Sequence, residues 1–202
     1  MKTVLSAALA VMLCTAAHAA DYKPGPYAGV TIGYAAGSLT NNSGDLTTSG
    51  APVSGIVGYT HSLGEIGGLH PVIGIEGEAT WANVKGSQTD RGFELQASTD
   101  YTLALKARAG IAIGPALIYA LAGPAWAHSK LEIIGLKDSH LGLGVMAGGG
   151  VDVQITHTLA IRIEGVRTFA AGSTDWRLGN AAPIRLDSGE TTIRAGLVFS
   201  LN

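Results

Sequence analysis

Past its first twenty residues the chain has no cysteine, because Cys14 is the only one it contains. Disulfides, zinc–thiolate centres and thiol nucleophiles are thereby excluded downstream. Charge is scarce as well: Asp, Glu, Lys and Arg make up 14% of the 202 residues, against about 25% in ordinary soluble domains. Neither sign dominates, since beyond Lys2 there are 12 basic and 15 acidic residues, which gives no electrostatic case for binding nucleic acid. Also missing downstream is any apolar run of roughly 18 residues free of charges, Gly-Pro steps and glycine clusters. Membrane-spanning helices are therefore disfavoured.

What is there begins with "MKTVLSAALAVMLCTAAHAA": one cation at Lys2, an apolar core from Val4 to Leu13, and the small-residue pattern Ala17-His18-Ala19. These mark residues 1–20 as a secretory signal peptide, leaving residues 21–202 as one domain. Cys14 follows the bulky Leu13, so the small residue that a lipoprotein site places before its cysteine is absent. Glycine is abundant, with 29 in the chain. Few charges, many glycines and a mean hydropathy of +0.29 point to a secreted protein that meets lipid, and a closed β-barrel is the alternative to helices for satisfying a backbone in a bilayer.

The stretch "YTLALKARAGIAIGPALIYALAGPAWA", residues 101–127, shows why strands are preferred. Every second residue from Tyr101 is Leu103, Leu105, Ala107, Ala109, Ile111 and Ile113, whereas Lys106 and Arg108 share the opposite face. Gly114-Pro115 then reverses the chain. The same period-two test yields eight strands, near 27–37, 51–61, 71–83, 99–113, 116–128, 141–155, 158–169 and 190–201. Gly114-Pro115 and Thr156-His157 are tight connections, and 62–70 is a modest one. Residues 38–50, 84–98, 129–140 and 170–189 read as long polar loops. Short turns on one rim and long loops on the other, with an even strand count, describe an all-β, eight-stranded antiparallel transmembrane barrel whose long loops face out of the cell.

The mid-strand charges all fall opposite the bulky aliphatics. Glu76 and Glu78 oppose Ile73, Ile75 and Trp81; Asp152 opposes Val151 and Val153; Arg162 and Glu164 oppose Ile161 and Ile163; Arg194 opposes Ile193. A soluble lipocalin-like barrel needs a well-charged exterior, and one or two charges per strand do not supply it, so the apolar face is placed outward in lipid. The lumen then holds Glu76, Glu78, Asp152 and Glu164 with Lys106, Arg108, Arg162 and Arg194. Eight strands enclose a space that side chains just fill, so a plugged lumen is expected. Such a charge cluster can mark catalysis, but a structural network is the stronger reading.

Other constellations carry less. His128-Ser129 with Glu132 nearby is the one arrangement that could suit a lipid hydrolase, and it lacks the strand context such a site needs. Gly142, Gly144 and Ala147 loosely match a dinucleotide fingerprint, yet Gly148-Gly149-Gly150 would ruin its helix. His61, His70, His128, His140 and His157 show no ligand spacing, so no metal is expected. No catalytic residue and no cofactor is assigned. Tyr34, Trp81 and Trp126 lie near strand ends, as an interfacial aromatic girdle would place them.

The segments "PYAGVTIGYAAG", "IGIEGEATWANVKGS", "KARAGIAIGPALIYALAGPAWA", "GGGVDVQITHTLAIRIEGVRTF" and "TIRAGLVFSLN", in this order over residues 26–202, resemble the small outer-membrane β-barrel family that includes alphaproteobacterial surface antigens, the OmpA-like superfamily in the broad sense. The resemblance implies location in the cell outer membrane, insertion by the barrel assembly machinery, contact with lipid and lipopolysaccharide, and a structural, surface-antigen or adhesive role with a host or surface ligand met through the loops. A porin-like channel is the alternative role, and a lipid A-modifying hydrolase a more distant one. It also implies a C-terminal assembly signal, carried here by Phe199 and Leu201; relatives usually end on an aromatic residue, whereas this chain ends Phe199-Ser200-Leu201-Asn202.

Overall fold

The computed structural model describes residues 21–41, 44–90, 93–133, 136–170 and 187–201, with side chains described outside 38–48, 82–100, 129–141, 170 and 187–189. The leader assigned to residues 1–20 lies outside the described residues. Nine strands form in chain order: β1 (Pro26–Asn41), β2 (Gly44–Gly50), β3 (Val53–Ser62), β4 (His70–Asp90), β5 (Phe93–Ile113), β6 (Ala116–Ile133), β7 (Leu136–Gln154), β8 (Leu159–Ala170) and β9 (Asp187–Ser200). All neighbours are antiparallel, and β1 pairs with β9 from Tyr27↔Ser200 to Thr40↔Asp187, which closes the sheet.

β2 and β3 are two halves of one strand. Both pair with β1 in a single register, Ala35↔Gly50 above and Ile32↔Val53 below. The break falls at Ala51-Pro52, because proline has no N–H to give to the ladder. The Gly33 N–H donates to the Pro52 carbonyl at 3.0 Å and holds the two halves in line. The barrel therefore has eight staves, as the periodicity predicts.

The strands are longer than predicted. β4 and β5 stay paired out to Asp90↔Phe93, β6 and β7 out to Ile133↔Leu136, and β1 and β2 out to Asn41↔Gly44. Three of the four segments read as loops are thus antiparallel ribbons. Beyond the bilayer both faces of a ribbon meet water, so the apolar alternation stops while the backbone ladder goes on. From Trp81 to Asp90 the β4–β5 ribbon rises about 30 Å along the strand at about 3.3 Å per residue. Most of the fourth segment, 171–186, lies outside the described residues.

The ladder slips between Trp81 and Val84 on β4 and between Thr99 and Tyr101 on β5, where barrel wall becomes ribbon. Bulges are common at barrel rims, where they sharpen the twist. Outward-facing aromatics cluster at this level: Tyr34, Trp81, Tyr101 and Phe169 are all exposed, with Tyr59 and Phe199 exposed toward the opposite rim. Between them the outer wall presents Val57, Leu103, Leu105, Ile163 and Leu197 at 37–63% exposure. A water-soluble protein does not carry an apolar belt of this extent.

The interior is less polar than the strand patterns imply. β6 sends Leu117, Tyr119 and Leu121 inward, all at 5% exposure or less, where they pack with Val72, Met146 and Val166. A second buried group joins Tyr27, Ile56, Ala160 and Val198. β6 is apolar on both faces, so period two cannot tell its inside from its outside.

Candidate functional site: a charge network across the lumen

All eight predicted lumen charges point inward at 0–5% exposure: Glu76, Glu78, Lys106, Arg108, Asp152, Arg162, Glu164 and Arg194. They come from β4, β5, β7, β8 and β9, and hydrogen bonds and ion pairs join them into one network. The pairing Glu76↔Lys106 places those two side by side on adjacent strands. Lys106 Nζ lies 2.5 Å from both Glu76 Oε1 and Glu78 Oε2 and 3.9 Å from Glu164 Oε1. One ammonium thus sits among three carboxylates.

The arginines connect opposite walls. Arg162 on β8 donates from Nε and Nη2 to both Asp152 oxygens at 2.7 and 2.8 Å, and from Nη1 across the barrel to Glu76 Oε2 at 2.6 Å. Arg108 on β5 donates to Asp152 Oδ2 at 2.9 Å and to Glu76 Oε2 at 3.2 Å. Arg194 on β9 donates to Glu78 Oε2 and Glu164 Oε1 at 2.7 and 2.8 Å, with further contacts to both carboxylates. Four cations balance four anions. Guanidinium forks suit this role because they satisfy carboxylate lone pairs two at a time.

Two tyrosines that the sequence reading did not place complete the cluster. Tyr27 Oη donates to Glu76 Oε2 and Tyr119 Oη to Glu164 Oε2, each at 2.7 Å. The Arg108 guanidinium lies 3.7 Å from the centroid of the Tyr119 ring, within cation–π range. The signal for Tyr119 was present in the chain. The Gly114-Pro115 turn sets Ile113↔Ala116 and hence Gly110↔Tyr119, and Gly110 shares the face of Arg108, so Tyr119 has to point inward.

Both rings occupy space that a glycine leaves open. A Cβ on Gly58 would lie 2.5 Å from Tyr27 Cζ, and one on Gly150 would lie 2.7 Å from Tyr119 Oη. On Gly150 the added Cβ would also lie 2.6 Å from the Ile163 carbonyl oxygen, so Gly150→Ala is expected to displace both the Tyr119 ring and the adjoining β8 backbone and to cost about 1–3 kcal/mol, the usual penalty of overpacking. The urea midpoint of the refolded protein reads this directly, and an unchanged midpoint would show that ring and backbone both give way freely.

The N-terminal segment crosses the short-turn mouth of the barrel. The Tyr22 N–H donates to the Gly114 carbonyl at 3.0 Å, while its hydroxyl is 2.9 Å from Thr60 Oγ1 on β3. Burial raises the Tyr22 pKa above the ordinary phenol value, so the hydroxyl stays neutral. The cleft beneath it, bordered by Tyr22, Tyr27, Thr60, Asp152 and Gln154, has a volume of about 10 Å³, room for about one water.

Elsewhere, the His128 ring stacks on Tyr101 at 5.1 Å between centroids and 7° between planes. The side chains of Ser129 and Glu132, its partners in the hydrolase reading, lie outside the described residues. Among the described residues no group of three His, Cys, Asp or Glu is arranged to hold a metal. Phe199 and Leu201 face outward at 45% and 63% exposure, and the Leu201 N–H donates to the Pro26 carbonyl at 2.9 Å, so the C-terminus is tied to the start of β1.

Residues 5–183 match the family described as "Outer membrane protein beta-barrel domain". The chain belongs to that family. As an outer-membrane barrel it resides in the cell outer membrane, and its exposed apolar belt faces lipid. A relative, the "25 kDa outer-membrane immunogenic protein" of Brucella abortus biovar 1 (strain 9-941), is 26% identical over 178 residues, 87% of this chain and 78% of that one. The same-named protein of Brucella suis biovar 1 (strain 1330) matches equally well. Among solved structures, Neisserial surface protein A superposes with a TM-score of 0.52 at 12% identity, covering 86% of this chain and 97% of that one. The transport unit of the autotransporter AIDA-I from Escherichia coli gives a TM-score of 0.51 at 13% identity, with 89% and 91% covered. At these identities the likeness to the two solved structures is one of fold.

Proposed function

We propose that this outer-membrane barrel is a non-catalytic surface protein whose lumen is closed and whose body anchors β-ribbons that project from the cell as an antigenic or adhesive surface. The observation that carries this reading is the balanced network of four carboxylates and four cations, which spans the lumen from β4 and β5 to β8 and β9. An ion entering the barrel would have to displace guanidinium–carboxylate pairs made at 2.6–2.9 Å. The apolar group around Leu117 and Met146 and the Tyr22 segment add two further obstructions along the same path. The outward direction of the ribbons follows from the usual asymmetry of such barrels, with short turns toward the periplasm. The immunogenic relatives support a role as a surface antigen.

Planar-bilayer recording of the refolded protein tests the closed lumen. The expected trace is flat, with no sustained ion-sized steps. Steady single-channel openings would replace this reading with that of a small porin.

A further inference from the structure

The β3–β4 connection, Leu63–Leu69, is a hairpin in its own right. Ile66 and Leu69 exchange backbone hydrogen bonds at 2.9 and 3.2 Å, and Gly67 and Gly68 between them have φ of 60° and 80°. Positive φ at both central residues is what a two-residue type I′ turn requires. Nearer the barrel, the Leu63 N–H donates to the Pro71 carbonyl at 2.9 Å and the Gly64 N–H to Ser62 Oγ at 3.2 Å. The N–H groups of Leu63, Gly64, Ile66 and Leu69 are thus satisfied within the hairpin and its strands, and the hydrated headgroup region can serve the rest.

Its side chains are out of character for a turn in water. Leu63, Ile66 and Leu69 are exposed at 48%, 59% and 48%, and Glu65 is the one charged residue between Ser62 and Leu69. Val53, Val57 and Tyr59 on β3 and Ile73 and Ile75 on β4 form the outer wall, and Leu63 and Leu69 extend it at the two ends of the hairpin. Between them the positive φ of Gly64, Gly67 and Gly68 ends the period-two alternation, so Glu65 and Ile66 are not held to the strand faces. By contrast the Gly114-Pro115 and Thr156-His157 turns add no such apolar extension.

We propose that this hairpin is a membrane-interface foot: Leu63, Ile66 and Leu69 lie in the headgroup–acyl boundary of the phospholipid leaflet at the short-turn rim, with Glu65 turned to water. The occupant is phospholipid because the patch adjoins the lipid-facing wall, with His61 between Tyr59 and Leu63, and carries no lysine or arginine to select an acidic partner. That this leaflet is the periplasmic one rests on the proposed orientation of the barrel; burial in lipid does not.

The absence of cysteine after Cys14 makes the test direct. Nitroxide labels are attached to the mature chain at Leu63→Cys, Ile66→Cys, Leu69→Cys and Glu65→Cys, refolded into phosphatidylethanolamine–phosphatidylglycerol vesicles, with a heat-modifiable gel band confirming folding of each. The expected result is that the ratio of collisions with oxygen to collisions with a water-soluble nickel chelate is severalfold higher at 63, 66 and 69 than at 65. Equal, high nickel access at all four sites would overturn the proposal. So would protection from both reagents that disappears on dilution in lipid, which would mean a second copy of the chain covers the patch. Conductance plays no part in this readout, so its failure is distinct from failure of the closed-lumen reading.

Discussion

Arg194→Glu is expected to refold poorly or not at all, and any folded fraction should unfold at a much lower urea concentration than the parent. Arg194 sits between Glu78 and Glu164, donating to both carboxylates. Its reversal would replace two charge-assisted contacts with three neighbouring anions in a space that is 0–5% exposed. Removing one partner of a buried pair costs about 3–5 kcal/mol on its own, because the charge left behind is uncompensated. Like-charge repulsion adds to that, and the total approaches the whole stability of a typical domain, about 5–15 kcal/mol. Arg194→Met supplies the graded comparison: it removes the cation without adding an anion and should fall between parent and reversal. The heat-modifiable gel shift measures the folded fraction and a urea titration the midpoint. A reversed variant as stable as the parent would show that the lumen charges are solvated independently rather than paired.

The parts of this arrangement that the chain reveals are those set by local period and turn. β5 is apolar at Leu103, Leu105, Ile111 and Ile113 and cationic at Lys106 and Arg108, and the glycine at the Gly114-Pro115 turn has φ of 54°. These features fix two strands, their register and their faces without any tertiary information. The neighbouring pairs Lys106–Glu76 and Lys106–Glu78 follow, since adjacent antiparallel strands bring same-face residues together. The Arg162–Glu76 contact is different, because it joins residues 86 apart in sequence and depends on the closure of β1 onto β9 and on the barrel's width. Neither is written in any window of sequence. The ribbons are illegible for the opposite reason: their polarity signals exposure to water, and a polar run reads the same with or without a backbone ladder. The faces of β6 are not legible from its own alternation, because Leu117 inside and Ile118 outside are equally apolar; only the register carried over from β5 by the turn assigns them.

Lys106 and Arg108 also matter before the barrel exists. Without them residues 101–127 would offer a nearly continuous apolar run of the roughly 20 residues that span a bilayer as a helix. A helix over residues 101–120 would carry both cations in its first half, where each costs up to about 2.5–3.5 kcal/mol on the insertion scale, and the Gly114-Pro115 and Gly123-Pro124 steps break the charge-free remainder, so the segment is a poor helical span. In the folded barrel the same two side chains turn inward to carboxylates. A charge network is weak evidence for added stability when compared with an apolar core. Its use here is that one strand has to be refused as a helix in one membrane and accepted as a hairpin in another.

Exchanging neighbours on β5 isolates the effect of the face on which the cation lies. In the double variant Leu105→Lys/Lys106→Leu, composition, net charge and mean hydropathy are unchanged, and only the face that carries the ammonium differs. Leu105 is 53% exposed on the outer wall between Tyr101 and Ile113, and Lys106 is fully buried inside. A lysine facing lipid near the bilayer midplane costs about 2–4 kcal/mol in barrels of this kind. Loss of the ammonium that serves Glu76 and Glu78 at 2.5 Å costs about 3–5 kcal/mol more. The exchange should therefore abolish heat-modifiable folding in phospholipid vesicles. Leu105→Lys and Lys106→Leu should each fold with lowered urea midpoints, because each suffers only one of the two penalties. Shortening the lipid acyl chains should recover part of the Leu105→Lys loss, since a thinner bilayer brings the ammonium nearer water, and should do nothing for Lys106→Leu. If Lys106→Leu instead folded as stably as the parent while the Leu105→Lys loss ignored bilayer thickness, the assignment of inside and outside on β5 would be reversed.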